Sequence, residues 1–264
     1  MMNRFDRQSF LGKDSQKKIE SSKIAIIGLG GGGSHIVQQL VHIGFKHYVI
    51  LDPDRIEDTN LNRLIGATID DVDQSRYKIE IAQRVLKNLC PDAKIEAFPN
   101  KWQEQLNALK KCDIIFGCID SFIQRRDLEG FSRRYLIPYI DIGMDVHSVP
   151  DCPPRIAGQI ILSMSGCVCM QCMGYLTEKT LAIEGTRYGD AGSHPQVVWC
   201  NGVLASTAVG LAVDLITNWS SSLKEAVFLS YDGNTNTISP DNRWQYIKNN
   251  VCPHYSLENV GEVK

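Results

Sequence analysis

Residues 24–36 read IAIIGLGGGGSHI: an apolar run, five glycines in six positions, then the start of a helical pattern. A strand that enters G-x-G-x-x-G (Gly28, Gly30, Gly33) and leaves as a helix opens a strand–helix–strand unit. Glycines let the main chain approach a phosphate closely, and the N–H groups at the helix start face the anion. A second apolar run, HYVILD, ends in Asp52, about 20 residues beyond the loop, where a dinucleotide fold places its ribose-binding carboxylate. By its own letters the loop admits NAD, a nucleoside triphosphate or a purely structural turn. A Walker loop fits less well, because Ser34 stands where that loop needs lysine.

The alternation continues beyond this unit. The pattern predicts a strand over Lys23–Ile27 and a helix over Ser34–Phe45, with Ile36/Leu40 and Val37/Val41 at i, i+4 spacing. Further helices are expected at Arg76–Asn88, Trp102–Lys110 and Ile123–Tyr135, and strands at Lys94–Phe98, Asp113–Cys118 and Tyr139–Gly143. Strands and helices in turn give an α/β fold with a Rossmann-like, doubly wound, mostly parallel sheet. After Pro150 the style changes: GQIILSM, a cysteine cluster, a polar stretch, an apolar helix over Asn201–Asn218, then AVFLSYD and NTISP. These last two read as an antiparallel C-terminal extension. The organisation expected is an N-terminal arm (1–22) serving as a dimer contact, an ATP-binding half (23–150) and a C-terminal half (151–264) of the same domain.

A formal net charge of −2 gives no electrostatic reason to choose nucleic acid or membrane as the main partner. No run approaches the ~18 uninterrupted apolar residues of a membrane span, and MMNRFDRQSF has charges where a signal peptide needs its apolar region. A cytoplasmic protein is therefore expected. There, nine cysteines are read as core residues, metal ligands or nucleophiles rather than disulfides. Cys90, Cys112 and Cys118 stand singly and are expected in the core.

The segment after the first unit separates NAD from ATP. LDPDRIEDTNLNRL and RYKIEIA bring Asp52, Asp54, Asn60, Arg63 and Lys78 toward the loop. A hydride carrier does not need several cations and an amide around its phosphates. Splitting a triphosphate does, because charge moves onto the leaving pyrophosphate and must be met by preorganised donors and metal. Asp120 follows DIIFGCI at the carboxyl edge of the sheet, where it can hold magnesium. Plain readings stand beside these: Asn60 and Arg63 as turn organisers, Lys78 on a wet helix face, Asp54 as loop structure, Asp120 as a helix N-cap.

The combination resembles the ThiF/MoeB/HesA family, relatives of ubiquitin-activating enzymes, over nearly the whole chain. It is carried by RFDRQ, GLGGGGSH, LDPDRIEDTNLNR, YKIEIA, CIDSFIQRR, GQI followed by CMQC, and a terminal CP. The resemblance implies an ATP-dependent adenylyltransferase that activates the C-terminal carboxylate of a small ubiquitin-like or sulfur-carrier protein ending in Gly-Gly, releasing pyrophosphate. Gly28, Gly30, Gly31 and Gly33 would then cradle the nucleotide, Asp52 would bind its ribose, and Asn60, Arg63 and Lys78 would contact the triphosphate. Asp120 would coordinate magnesium, with Asp54 and Arg125 framing the site. Arg7 would reach into the partner of a homodimer as an arginine finger, unless it is a solvated tail residue. Leu64 departs from the family, which often has glutamine there.

Cys169-x-x-Cys172 has the spacing of a zinc knuckle. Relatives pair it with a second CxxC, but here the tail reads Cys252-Pro253-His254-Tyr255, with tyrosine in the expected ligand position. Cys252 with either His254 or Cys167 would complete a structural zinc site, expected to pin the tail far from the chemistry. Cys200, after the polar stretch 178–196 and before the apolar helix, is the candidate nucleophile for a thioester or persulfide step; a buried cysteine at a helix start is the competing reading. His194 is read as a loop residue. Adenylation of another carboxylate, in a peptide or a tRNA nucleoside, remains the nearest alternative function. An NAD-dependent oxidoreductase leaves Asn60, Arg63 and Lys78 unexplained, and a non-catalytic nucleotide module would not need Arg63 and Asp120.

Overall fold

The computed structural model describes residues 4–186, 195–222, 227–241, 252–255 and 260–262. In chain order the elements are α1 (Ser15–Ser21), β1 (Lys23–Ile27), α2 (Gly31–Ile43), β2 (His47–Leu51), α3 (Ile69–Asp73), α4 (Lys78–Leu89), β3 (Lys94–Phe98) and α5 (Leu106–Leu109). They continue as β4 (Ile114–Gly117), α6 (Phe122–Arg134), β5 (Tyr139–Val149), β6 (Cys152–Ser163), α7 (Glu178–Thr186), α8 (Val198–Thr217), β7 (Val227–Asp232) and β8 (Thr237–Pro240). One sheet runs β3-β2-β1-β4-β5-β6-β7-β8. Its first five strands are parallel, and the last three joins are antiparallel. This is the mixed sheet expected from the sequence. Chain order reverses between β1 and β4, and in such sheets ligands bind at that switch point, beyond the carboxyl ends of the strands.

Helices cover both faces. Ile24, Ile26 and Ile50 pack with α2, α4 and α8, whereas Ala25, Ile27, Val49 and Ile115 face α6, Trp102 and the cysteine loop. Among the described residues α8 has the length and mean hydropathy, 1.5, to cross a membrane. Leu204, Ala205, Ala208 and Ala212 are nonetheless fully buried. It is the core helix that covers β5 and β6.

Several boundaries differ from the expectation. The helix expected from Ser34 begins at Gly31, with the Ser34 N–H already donating to the Gly30 carbonyl at 3.0 Å; glycine's poor helix propensity hides this first turn. The segment expected as a helix over 102–110 is a 3-10 turn, Trp102–Glu104, followed by the single turn of α5. β5 runs beyond Gly143 to Val149 and returns as β6, so Pro150 lies in a hairpin turn. Pro153 and Pro154 sit where β6 has no β7 partner, since that pairing begins at Ala157. Polar residues 6–21 form a 3-10 turn, Asp6–Leu11, and α1, anchored by buried Leu11 and Ile19. Residues 187–194, including His194 and the middle of the expected crossover segment, lie outside the described residues.

Two glycines fix the loop. Gly28 has φ +87°, and a Cβ there would come within 2.4 Å of the Cys118 carbonyl. A Cβ on Gly33 would come within 1.9 Å of the Gly28 carbonyl, so this glycine permits the approach of α2 to β1. Gly33→Ala is expected to cost about 1–3 kcal/mol, read as a lower denaturant midpoint with unchanged m-value. An unchanged midpoint would show that the contact relaxes freely.

Candidate active site

A cavity of about 630 Å³ opens at the carboxyl edge of the sheet. Gly28, Gly30, Gly31, Asp52, Asp54, Asn60, Arg63, Lys78, Asp120 and Arg125 all line it. Gly33 does not; its contribution is the close packing described above. Gly30 has open space where a Cβ would be, so the main chain there is free to meet a ligand.

Asp52 closes the end of β2 against the loop. Its Oδ2 accepts the Leu29 N–H at 2.6 Å and its Oδ1 accepts the Asp54 N–H at 2.8 Å. Burial pushes its carboxyl pKa up, while Lys78 and these two N–H groups pull it back down. Lys78 is the first residue of α4, and its Nζ donates to Asp54 Oδ2 at 2.8 Å with only 12% of the side chain exposed. Asp54 thus holds Lys78 against the cavity. The plain reading of Lys78 on a wet face does not hold, because the helix N-terminus points into the site.

Asn60 ends a 3-10 turn, Asp58–Asn60, and its Oδ1 accepts the Glu57 N–H at 3.2 Å. Arg63 Nη1 donates to the Thr59 carbonyl at 2.6 Å and to Asn62 Oδ1 at 2.9 Å. Both residues organise their turn and line the cavity at once. Ser34, in the place of a Walker lysine, couples this turn to the glycine loop: its Oγ donates to the Gly31 carbonyl at 2.9 Å and accepts the Ile65 N–H at 3.0 Å. Leu64 is buried with Ile56 and Ile81 and is a packing residue. Asp120 is exposed in the cavity, and the N-cap of α6 is Ser121, whose Oγ accepts the Gln124 N–H at 3.1 Å. The N-cap reading of Asp120 is therefore replaced, leaving its carboxylate free of that duty.

The cavity floor carries a polar cluster that the sequence reading missed. Asp141, fully buried in β5, pairs with Arg125 of α6 and accepts the Tyr139 hydroxyl at 2.8 Å. Arg125 Nη1 also donates to Tyr175 Oη at 2.8 Å. Gln159 of β6 satisfies all its neighbours when its carbonyl oxygen accepts from Tyr175 Oη at 2.6 Å and Arg125 Nη1 at 2.7 Å. Burial pushes the Asp141 carboxyl up and Arg125 opposes it. An acidic residue inside the apolar strand YIDIG was the available signal, since buried carboxylates are rarely unpaired. Asn100 and Lys101 at the end of β3 also line the cavity unforeseen.

Two candidates stand elsewhere. Arg7 is exposed on the 3-10 turn Asp6–Leu11 and is not in the cavity wall of its own chain. Cys200 has no exposed surface, and its Sγ accepts the Tyr231 hydroxyl at 3.6 Å. It sits in the first turn of α8 and faces the core, the position of the competing structural reading. Cys118, expected in the core, borders the cavity, and burial pushes its thiol pKa well up.

The ThiF family matches residues 5–253. The chain belongs to the ThiF family. It is 30% identical to a sulfur carrier protein adenylyltransferase of Thermus thermophilus over 129 residues, 47% of each chain. It is 31% identical to the sulfur carrier protein ThiS adenylyltransferase of Escherichia coli over 130 residues, 47% of this chain and 51% of that one. The chain thus spans about half the length of these relatives. The crystal structure of Escherichia coli MccB with ATP superposes with a TM-score of 0.72 at 22% identity, over 90% of this chain and 71% of that one, which supports the fold.

This ThiF-family chain gathers the knuckle as well. Cys169, Cys172, Cys252 and His254 bring their ligand atoms within 4.8 Å of one another. Sulfur–sulfur separations are 3.6 and 3.8 Å, and His254 Nδ1 lies 3.4 and 3.3 Å from Cys169 and Cys172 Sγ. A tetrahedral zinc with bonds of about 2.3 Å to sulfur and 2.0 Å to nitrogen needs edges of about 3.5–3.8 Å, so the donor set fits. Of the two fourth ligands left open by the sequence, His254 is in the cluster and Cys167 is not. Tyr255 serves otherwise: its hydroxyl is shared between Glu129 Oε2 at 3.1 Å and the Arg126 carbonyl at 3.2 Å.

The segment that follows the turn of Asn60 and Arg63 is tied down by buried Asp71, which accepts the Thr68 N–H and both Nη atoms of Arg84, while Arg84 also donates to the Gly66 carbonyl. The bond from Arg84 holds the Asp71 carboxyl well below the usual carboxylate range. A depressed pKa contributes stability above the unfolded value, and the contribution is lost as pH falls through the folded value. Asp71→Asn is expected to lower stability by about 1.5–3 kcal/mol at pH 7. The deficit should shrink as pH drops below about 4, measured by urea unfolding of both chains at each pH.

Proposed function

We propose that this chain is an ATP-dependent adenylyltransferase acting on the C-terminal Gly-Gly carboxylate of a small ubiquitin-like or sulfur-carrier protein. The observation that carries the reading is the gathering of Asn60, Arg63, Lys78 and Asp120 around one cavity beside the glycine loop. An acyl carboxylate oxygen attacks the α-phosphorus of ATP. The bond from that phosphorus to the bridging oxygen breaks, and pyrophosphate leaves with the electron pair. No proton needs to move, so the work falls on positioning and charge.

Lys78 and Arg63 would meet charge building on the pyrophosphate, Asn60 would orient the phosphate chain, and Asp52 would receive the ribose hydroxyls. Asp120 would hold magnesium, which neutralises phosphate charge when bound. Arg125, held by Asp141, Tyr175 and Gln159, would frame the nucleotide pocket where it borders the acyl tail. Arg7 would act from the second copy of a homodimer, since it stands outside the cavity of its own chain. The knuckle would hold one structural zinc. A cytoplasmic setting would keep its cysteines reduced and available to the metal. No thioester step is assigned to buried Cys200; the reading ends at the acyl-adenylate. The named activities of the two sulfur-carrier relatives support the choice of a protein carboxylate.

Exchange of labelled pyrophosphate into ATP, dependent on a Gly-Gly carrier, is the test. Asp120→Ala should cut exchange at least about 100-fold while circular dichroism stays unchanged; a wild type that exchanges with no carrier and binds NAD tightly overturns the reading. Mixing Arg7→Ala and Asp120→Ala chains should restore part of the exchange, because one composite site in the heterodimer is intact. No recovery despite demonstrated subunit mixing would exclude an arginine acting in trans. Elemental analysis should find about one zinc per chain and a marked drop in Cys169→Ser.

A further inference from the structure

The sequence reading sets the cysteine knuckle far from the chemistry, but Tyr175, three residues beyond Cys172, lines the cavity. We propose that Tyr175 and Tyr255 are positioning residues for Arg125, and that metal loading at the Cys169–Cys172–Cys252–His254 cluster couples through them to ligand binding in the cavity. The proposal rests on the nucleotide reading above and on a metal at the cluster.

Two covalently short routes leave the cluster for the same arginine. The first runs along the knuckle. The Cys172 N–H donates to Cys169 Sγ at 3.4 Å, the Met173 N–H to the Cys169 carbonyl at 2.9 Å, and the Tyr175 N–H to the Met170 carbonyl at 3.0 Å. Met170 and Met173 are buried beneath it. The main chain of Tyr175 is thus fixed by the turn that binds metal, and its hydroxyl meets Arg125 and Gln159. The ring is held between Phe122 and Phe228, with centroids at 5.8 and 6.1 Å.

The second route runs through the tail. Tyr255 follows the ligand His254 and hydrogen-bonds α6 at the Arg126 carbonyl and at Glu129, the next residue and the one a turn beyond Arg125 on the same helix. Glu129 has no exposed surface, and its Oε1 accepts the Met170 N–H at 2.9 Å. Tail, knuckle and α6 therefore meet at one buried carboxylate. Four donors drawn to one ion hold the tail and the knuckle in a single geometry, and without it three thiols and an imidazole have little to keep them together.

Calorimetric ATP binding and hydrogen exchange, on zinc-loaded and chelator-stripped chains, test this. Stripping should weaken ATP binding about tenfold, the loss of one hydrogen bond to a charged group, and raise exchange over Met170–Leu176. Tyr175→Phe with full metal should start about tenfold weaker and lose most of its response to stripping, keeping only the part carried by Tyr255. Stripping that removes the metal but leaves affinity and exchange unchanged overturns the proposal, as does a Tyr175→Phe chain that keeps the full metal dependence. If the stripped chain unfolds, the loaded Tyr255→Phe chain decides: weakened ATP binding at unchanged metal content supports the coupling, and wild-type affinity overturns it. Failure of ATP to bind the loaded wild type would defeat the nucleotide reading itself, whereas intact binding without metal dependence defeats only the coupling.

Discussion

Arg125 and Asp141 form the interaction on which the site depends. A carboxylate in the middle of β5 and a guanidinium from α6 share a space with almost no water access. Neither charge is tolerable there alone, since an unpaired buried ion costs several kcal/mol. The pair therefore recruits donors and acceptors from every element around it: Tyr139 from β5, Gln159 from β6 and Tyr175 from the cysteine loop. β5 is also where the sheet changes from parallel to antiparallel. The pair thus fastens the nucleotide-binding strands to the hairpin that closes the other side of the cavity.

The sequence exposes those parts of the site whose chemistry is local. Gly28 and Gly33 are needed where the main chain turns and approaches itself, and their spacing survives as letters. Asn60, Arg63 and Asp120 lie in the segments that follow strand ends and Lys78 opens α4, so the alternation of strands and helices pointed them to one edge. Asp141, Gln159 and Tyr175 were not legible, because each acquires meaning only through a partner far along the chain. The same limit hid Ser34, whose value lies in reaching Ile65 rather than in its place in a phosphate loop.

The tail shows how geometry resolves what spacing leaves open. Spacing allowed two fourth ligands, but four donors around one ion must lie close together, and among the described residues His254, not Cys167, joins Cys169, Cys172 and Cys252 within 4.8 Å. Tyrosine in the expected ligand position does not mark a decayed site. Its phenol satisfies Glu129, a buried carboxylate whose pKa burial pushes up. A cysteine in that place would leave the oxygen short of a donor.

The two sides of the cavity differ in kind. On the nucleotide side Lys78 and Arg63 stand with main-chain N–H groups, and their attraction for a polyanion is strengthened by exclusion of water. On the far side Gly143, Ala157 and Gly158 leave a shallow floor beside Met144 and Phe228, with Arg125 already neutralised by Asp141. Such a floor offers room to an extended chain with little side-chain bulk, and among the described residues that line it Arg125 is held in its pair with Asp141. On the proposed reading, this difference between the two sides would set the direction in which ATP and an acyl tail lie, with the α-phosphorus at the border between them.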